Sequence, residues 1–280
     1  MPDIHPSSVI DPGAELAQDV CVGPLCHVGP HVTIGAGTRL VSHVAILGPT
    51  EIGAHNRVWP QAVLGGEPQD RKYTGENSRL VIGDHNDIRE GVTIHRGTDN
   101  DEGLTRVGSH NLIMGCVHVA HDCIIGDHVV IANSVGMAGH ARIENCAVIA
   151  GMVGMHHFVT IGCHAYVGGM TRLVQDVPPY MIVEGNPAKV RGINSIGLGR
   201  HGFDDQTIGR LKEAYKKIFR NSTQDQAVGK AHDGLAQLEK DYGDDPTISN
   251  LVAAVRNSTT SVHGRYRESL RRDDRRKPLK

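Results

Sequence analysis

The segment "VHVAHDC" (117–123) sets His118 and His121 three residues apart and places Asp122 directly after the second. Cys116 and Cys123 bracket both histidines. Two kinds of chemistry use these residue types. The C-x-H-x2-H-x-C run offers thiolates and imidazoles of the sort that bind tetrahedral zinc. A histidine beside a carboxylate is also the pairing of a general base with the group that orients it, because imidazole titrates near neutrality. More residues of the same kind follow: Gly139 and His140 in "AGH", then His156 and His157 in "MHHF". Upstream, "PQDRKYTGENS" (68–78) carries Gln69, Asp70 and Lys72.

What could hold such scattered residues together is a six-residue repeat. From Ile4 the chain reads Ile10, Leu16, Val22, Val28, Ile34, Leu40, Ile46, Ile52, Val58 and Leu64, all aliphatic at a period of six. The frame lapses at 68–78, returns at Ile82, Ile88 and Ile94, and slips by one residue across "RGTDNDEGLTR". It then runs from Val107 to Leu173 with an aliphatic residue or Met at every step. Glycine often follows the aliphatic residue, and the position four beyond it is usually small, Asn or Val. Neither helix nor simple strand gives this period. A triangular coil does: each hexad is a short strand and a corner, and three hexads close a turn. The expected fold is therefore mainly β, a left-handed parallel β-helix over 1–194, with 68–78 as a loop excursion and glycines relieving the corners. An aromatic content of only 4% fits so thin a prism.

On this coil, residues about eighteen apart stack at the ~4.8 Å spacing of neighbouring strands. Gly139 then lies above His121, His140 above Asp122, and His157 two coils above His121, with His156 beside it. Several of the 18 histidines, among them His27, His31, His43, His55, His110 and His128, read as polar corner residues. The stacked group reads as a site. A strand that turns at His121 points Cys116 and His118 away from it, so a zinc tetrahedron fits poorly. The cysteines read as small apolar residues.

After Leu173 the chain is rich in Pro and Gly. A small α-helical domain is expected over 195–262, with an apolar stripe at 208, 211, 215, 218 and 219 and further helices near 224–241 and 246–257. The charged end, 263–280, reads as a disordered tail. A formal charge of −2 gives no sign of nucleic acid. No run approaches the roughly 18 apolar residues of a membrane span. Six dispersed cysteines and no signal-peptide pattern at the N-terminus point to the cytoplasm.

At its chemistry-bearing segments the chain resembles the acyl-[acyl-carrier-protein]–UDP-N-acetylglucosamine O-acyltransferases, which begin lipid A synthesis. The matching pieces are "QDRKYTGE" (69–76), "TIHRGT" (93–98), "VHVAHDC", "AGH", "QDVPPY" (175–180) and "GIN" (192–194), in the family's order. The resemblance implies a homotrimer with sites between prisms, and no cofactor or metal. The donor is a 3-hydroxyacyl group on the phosphopantetheine of acyl carrier protein, and the acceptor is the 3-hydroxyl of UDP-N-acetylglucosamine. It makes His121 the general base, Asp122 its orienting partner, and the Gly139 N–H an oxyanion donor. Gln69, Asp70, Lys72, His118, His140, His156, His157, Asn194 and Arg200 match positions that hold substrate, and Gly169 matches the position that measures the acyl tail. Lys212, Lys216, Lys217 and Arg220 form a basic face that would attract an acidic carrier protein. Three positions depart: His157 replaces a frequent Gln, Pro187 a histidine of some members, and Ile196 an acidic residue. Relatives that acylate a 3-amino sugar share the pattern, and zinc carbonic anhydrases share the prism.

Overall fold

Each hexad folds as two or three extended residues and a corner, and its aliphatic residue points into the prism. Val58, Leu64, Ile88, Ile113, Ile131 and Ile149 are all 0% exposed. The protein, here as a computed structural model, is described over residues 1–99, 101–220, 231–261 and 263–270. Parallel strands stack into three sheets of eleven, nine and eight strands, each coil giving one strand to each sheet. Together they form the left-handed parallel β-helix. The register advances by one coil at a time, as in Leu112–Val130–Val148–Tyr166. Two excursions interrupt it. Arg57 pairs with Asp87, a whole number of extra hexads, so the frame survives 68–78. Thr93 pairs with His118, one residue more than a hexad, which is why the frame slips there.

The corners correct one expectation. Their left-handed positions are held by side-chain-bearing residues, including His31 (φ 59°), His43 (φ 52°), His55 (φ 56°), His110 (φ 60°), Asp122 (φ 59°), His128 (φ 56°) and His140 (φ 62°). His27 instead lies in a strand. Histidine and Asp tolerate this region better than most residues. The glycines after the aliphatic residues serve close stacking: a Cβ on Gly53 would lie 2.8 Å from the Gly83 carbonyl oxygen, and one on Gly83 2.8 Å from that of Gly108. No side chain fits where coils pass so closely.

The prism ends in an antiparallel pair, Met181–Glu184 with Lys189–Ile193. Asn194 caps α1 (Ser195–Arg200), Asp204 caps α2 (Asp205–Tyr215), and a π-turn (Lys216–Arg220) continues it. Then come α3 (Ala231–Tyr242) and α4 (Pro246–Thr260), the latter capped by Asp245. Residues 224–230 of the expected third helix lie outside the described residues. Ile208, Leu211 and Ile218 of the expected stripe are buried with Leu235, Leu238 and Leu251 against Tyr180 and Met181 at the prism end.

The C-terminal segment differs from the expected tail. Arg265–Leu270 forms a 3-10 helix on the prism. Its charges have matched partners there. The Arg265 backbone N–H donates to Asp176, and its side chain donates to the carbonyls of Val174 (3.0 Å) and His157 (3.1 Å). Residues 271–280 lie outside the described residues.

Candidate active site

His121 and Asp122 occupy the corner after the strand His118–Val119, buried to 7% and 4% exposure. The Asp122 Oδ2 lies 2.7 Å from His121 Nδ1. An ionised carboxylate only accepts, so Nδ1 carries the proton and Nε2 keeps its lone pair. Three hydrogen bonds fix the aspartate. The Thr98 backbone N–H donates to Oδ1 (2.8 Å), the Thr98 hydroxyl donates to Oδ2 (2.7 Å), and the Asp122 N–H donates to Thr105 Oγ1 (2.8 Å). Thr98 stands in the shorter excursion and Thr105 in the strand that follows it, so the frame slip marks the insertion that grips the dyad.

Stacking places Gly139 as expected. A Cβ there would meet His121 Cε1 at 2.5 Å and Nε2 at 2.7 Å. Only a bare backbone leaves the imidazole its position. Among the described residues the Gly139 N–H donates to no protein acceptor. Above Asp122, His140 has Nε2 3.7 Å from Asp122 Oδ2 and Nδ1 3.1 Å from Asp101 Oδ2. Its ring meets that of His121 edge-on at 5.2 Å and stacks on Phe158 at 4.7 Å. The loop excursion returns Asp70 to within 4.0 Å of His121 Nε2, where its carboxylate faces any proton that Nε2 gains.

Beside His121 opens a cleft of about 620 Å³, lined among others by Gln69, His118, Gly139, His156 and His157. Its floor is bare backbone: Gly136 pairs with Gly154 across adjacent coils, and a Cβ on either would meet nothing within 4 Å. His118 Nδ1 lies 2.8 Å from the Thr93 hydroxyl. Burial, with His95 and His121 nearby, pushes its pKa down and keeps it neutral at pH 7. The cleft thus joins an oriented base and a neutral histidine with open space over bare glycine backbone.

Other expected residues lie elsewhere on the chain. Lys72 is exposed in the excursion, where its N–H donates to Asp70 Oδ1 (3.0 Å). Gly169 is exposed beside the 72%-exposed Met170. Asn194 is turned inward, its amide donating to the His164 carbonyl (2.9 Å) and its oxygen capping α1; Arg200 is exposed in the last turn of that helix. Lys212 and Lys216 are exposed, whereas Lys217 is ion-paired with Glu213 (2.9 Å) and Asp241 (3.1 Å), so its charge serves the helical packing. The Arg220 side chain lies outside the described residues.

The Cys-His run does not converge. Cys123 is in the prism core, where burial pushes its thiol up to about 12, while Cys116 is exposed at a corner. A neutral buried thiol is a poor zinc ligand. His121, Asp122 and His140 gather atoms within 4.8 Å of one another, but those atoms are engaged with each other, Thr98 and Asp101. Sequence reasoning missed Thr98, Thr105, Asp101, Arg265 and Arg267. The first two lie in or beside matched or frame-shifted segments, a usable signal; the arginines sit in a charge-rich stretch with none.

Residues 176–264 match the family described as Udp N-acetylglucosamine O-acyltransferase, domain 2, and residues 104–139 match bacterial transferase hexapeptide repeats. The chain is similar to the crystal structure of UDP-N-acetylglucosamine O-acyltransferase from Moraxella catarrhalis RH4: 44% identity, 91% of this chain and 97% of that one, TM-score 0.84. The Acinetobacter baumannii structure is 42% identical over the same shares, with a TM-score of 0.86. A UDP-N-acetylglucosamine acyltransferase from Arabidopsis is 36% identical over 93% of this chain and 98% of that one, with a TM-score of 0.79. With identities of this size over nine-tenths of its length, and with the histidine, aspartate and glycine brought to one corner of a hexad prism, the chain belongs to the UDP-N-acetylglucosamine O-acyltransferase family.

Proposed function

We propose that the protein is an acyltransferase that moves a 3-hydroxyacyl group from acyl carrier protein to the 3-hydroxyl of UDP-N-acetylglucosamine, opening lipid A biosynthesis. The observation that carries this reading is the His121 imidazole, tied through Nδ1 to Asp122 and presenting Nε2 to the cleft beside bare Gly139. Nε2 takes the proton of the sugar 3-hydroxyl as its oxygen attacks the thioester carbonyl carbon. The carbonyl electrons move to oxygen, and the Gly139 N–H meets that oxyanion. Collapse restores the carbonyl and breaks the C–S bond, and the imidazolium returns its proton to the leaving thiolate. Asp122 keeps the imidazole oriented through Nδ1 and steadies the imidazolium. The donor brings its own phosphopantetheine, so the chain needs no cofactor or metal of its own.

The acidic carrier protein would meet exposed Lys212 and Lys216. Asn194 and Arg200 do not line the His121 cleft of their own chain, which supports a homotrimer in which a neighbour supplies them. No helix of the described residues is long and apolar enough to cross a membrane, and the six free cysteines suit the reducing cytoplasm. The test is to incubate purified protein with UDP-N-acetylglucosamine, or its 3-amino analogue, and a panel of 3-hydroxyacyl carrier proteins, with and without EDTA. A 3-O-acylated sugar nucleotide by mass, unaffected by chelator, is the expected product. Acylation of the 3-amino analogue alone, or loss of activity with EDTA, would contradict it.

A further inference from the structure

The matched family model ends at residue 264, and the next residues fold back onto the prism beside the dyad. Arg267 Nη1 lies 2.7 Å from Asp101 Oδ2, the same oxygen that His140 Nδ1 approaches at 3.1 Å. The line then continues from His140 Nε2 to Asp122 Oδ2 at 3.7 Å and from that oxygen to His121 Nδ1 at 2.7 Å. The side chains are mostly buried, at 26% exposure for Arg267, 20% for Asp101 and 12% for His140, so their charges are weakly screened. Arg267 also lies over Phe158, the ring on which His140 stacks, at 5.3 Å from its centroid. We infer that Arg267, from a segment beyond the family match, is a positioning residue that sets the strength of the general base through Asp101 and His140.

Arg267 and His140 share one carboxylate. His140 first, and Arg267 with it, hold Asp101 well below the usual carboxylate range. By satisfying Asp101, Arg267 lessens its pull on a proton at His140. The less positive charge His140 carries, the more of the Asp122 charge is left to His121. The groups that face His140 are Asp101, Asp122, the edge of His121 and the Phe158 ring; His263 feels the charges of Arg142, Arg267, Asp101 and Glu102. Without Arg267, His140 becomes the better base toward Asp101. As a cation 3.7 Å from Asp122 it would neutralise that carboxylate, and the pKa of His121 would fall. The segment is fixed independently by Arg265 on Asp176, Val174 and His157, so a change at Arg267 need not release it.

This inference rests on the acyltransfer reading, and full-length enzyme separates the two. Inactive wild-type protein would sink that reading; an active wild type with an indifferent Arg267 variant would sink only this one. In R267Q the kcat at neutral pH should fall on the order of tenfold, short of the ~10²-fold that full misplacement costs. KM should change little. The acid limb of the kcat/KM profile should move to lower pH, because a weaker base loses its proton sooner. R267K should restore the profile, and in a D101N background R267Q should add little further loss. A profile for R267Q that superimposes on the wild type, or an equal loss with and without Asp101, would overturn the proposal. So would a loss that R267K fails to rescue, since that would mark the arginine as mere packing.

Discussion

A single missing side chain decides what the dyad can do. Gly139 keeps its place because the imidazole of His121 occupies the volume a Cβ would need. Gly139→Ala must push the ring off the axis set by Asp122 or lift the corner above it. Kinetics on this variant should show kcat down by about 10²-fold, the loss expected for a reacting group misplaced by an ångström. The melting temperature should fall only modestly, because the added methyl displaces one buried ring and no part of the aliphatic core; a variant with wild-type turnover would show that the ring has room to spare. The stacking of Gly139 on His121 was legible in the sequence, because a period of six converts numbering into position. Asp101 was not, because an insertion out of frame with the hexads gives its residues no coordinate on the coil.

At the scale of the element, the corner and the strand do different work. Corners supply the left-handed residues, and so decide that Asp122 and His140 share a column. Strands supply the floor of the cleft, where Gly136 and Gly154 sit side by side. Gly136→Val suits a strand, since β-branched residues fit a pleated surface. It fills the cleft without a clash in the protein. The expected result is a raised KM, or no measurable turnover, in a protein that melts at or above the wild-type temperature. A variant that binds both substrates normally would place the substrate channel elsewhere. The repeat announced the strands, and the stripe of Ile208, Leu211 and Ile218 announced α2 and the π-turn that continues it. The 3-10 helix of Arg265–Leu270 went unseen, because charge-rich sequence reads as a solvated tail until Asp101 and Asp176 are known to lie opposite it.

For the whole molecule, the prism is a rigid ruler on which functional groups hold their spacing. Its core is one column of Ile, Val and Leu, so truncating Ile131 or Ile149 would cost about 2–5 kcal/mol, whereas edge residues are cheap to change. Asn194 and Arg200, at one end, stand apart from the cleft, so under the proposed function a neighbouring chain must bring them to it. Light scattering at micromolar concentration should therefore give three times the 30.2 kDa chain mass; a monomeric mass would contradict the composite site. The resemblance rather than the periodicity carried the expectation of a trimer, because a repeat says what packs inside a prism and not what packs against it. The central claim is that His121 is the base. Its side chain lies outside the aliphatic column, so His121→Ala should cost about 1–3 kcal/mol, for the buried bond to Asp122, and leave the protein folded. Acyl transfer to UDP-N-acetylglucosamine should fall roughly 10²- to 10⁴-fold. Measuring kcat and the melting temperature of this one variant beside the wild type is the most direct test: a folded, nearly inactive enzyme is predicted, and a folded enzyme with full activity would contradict the account.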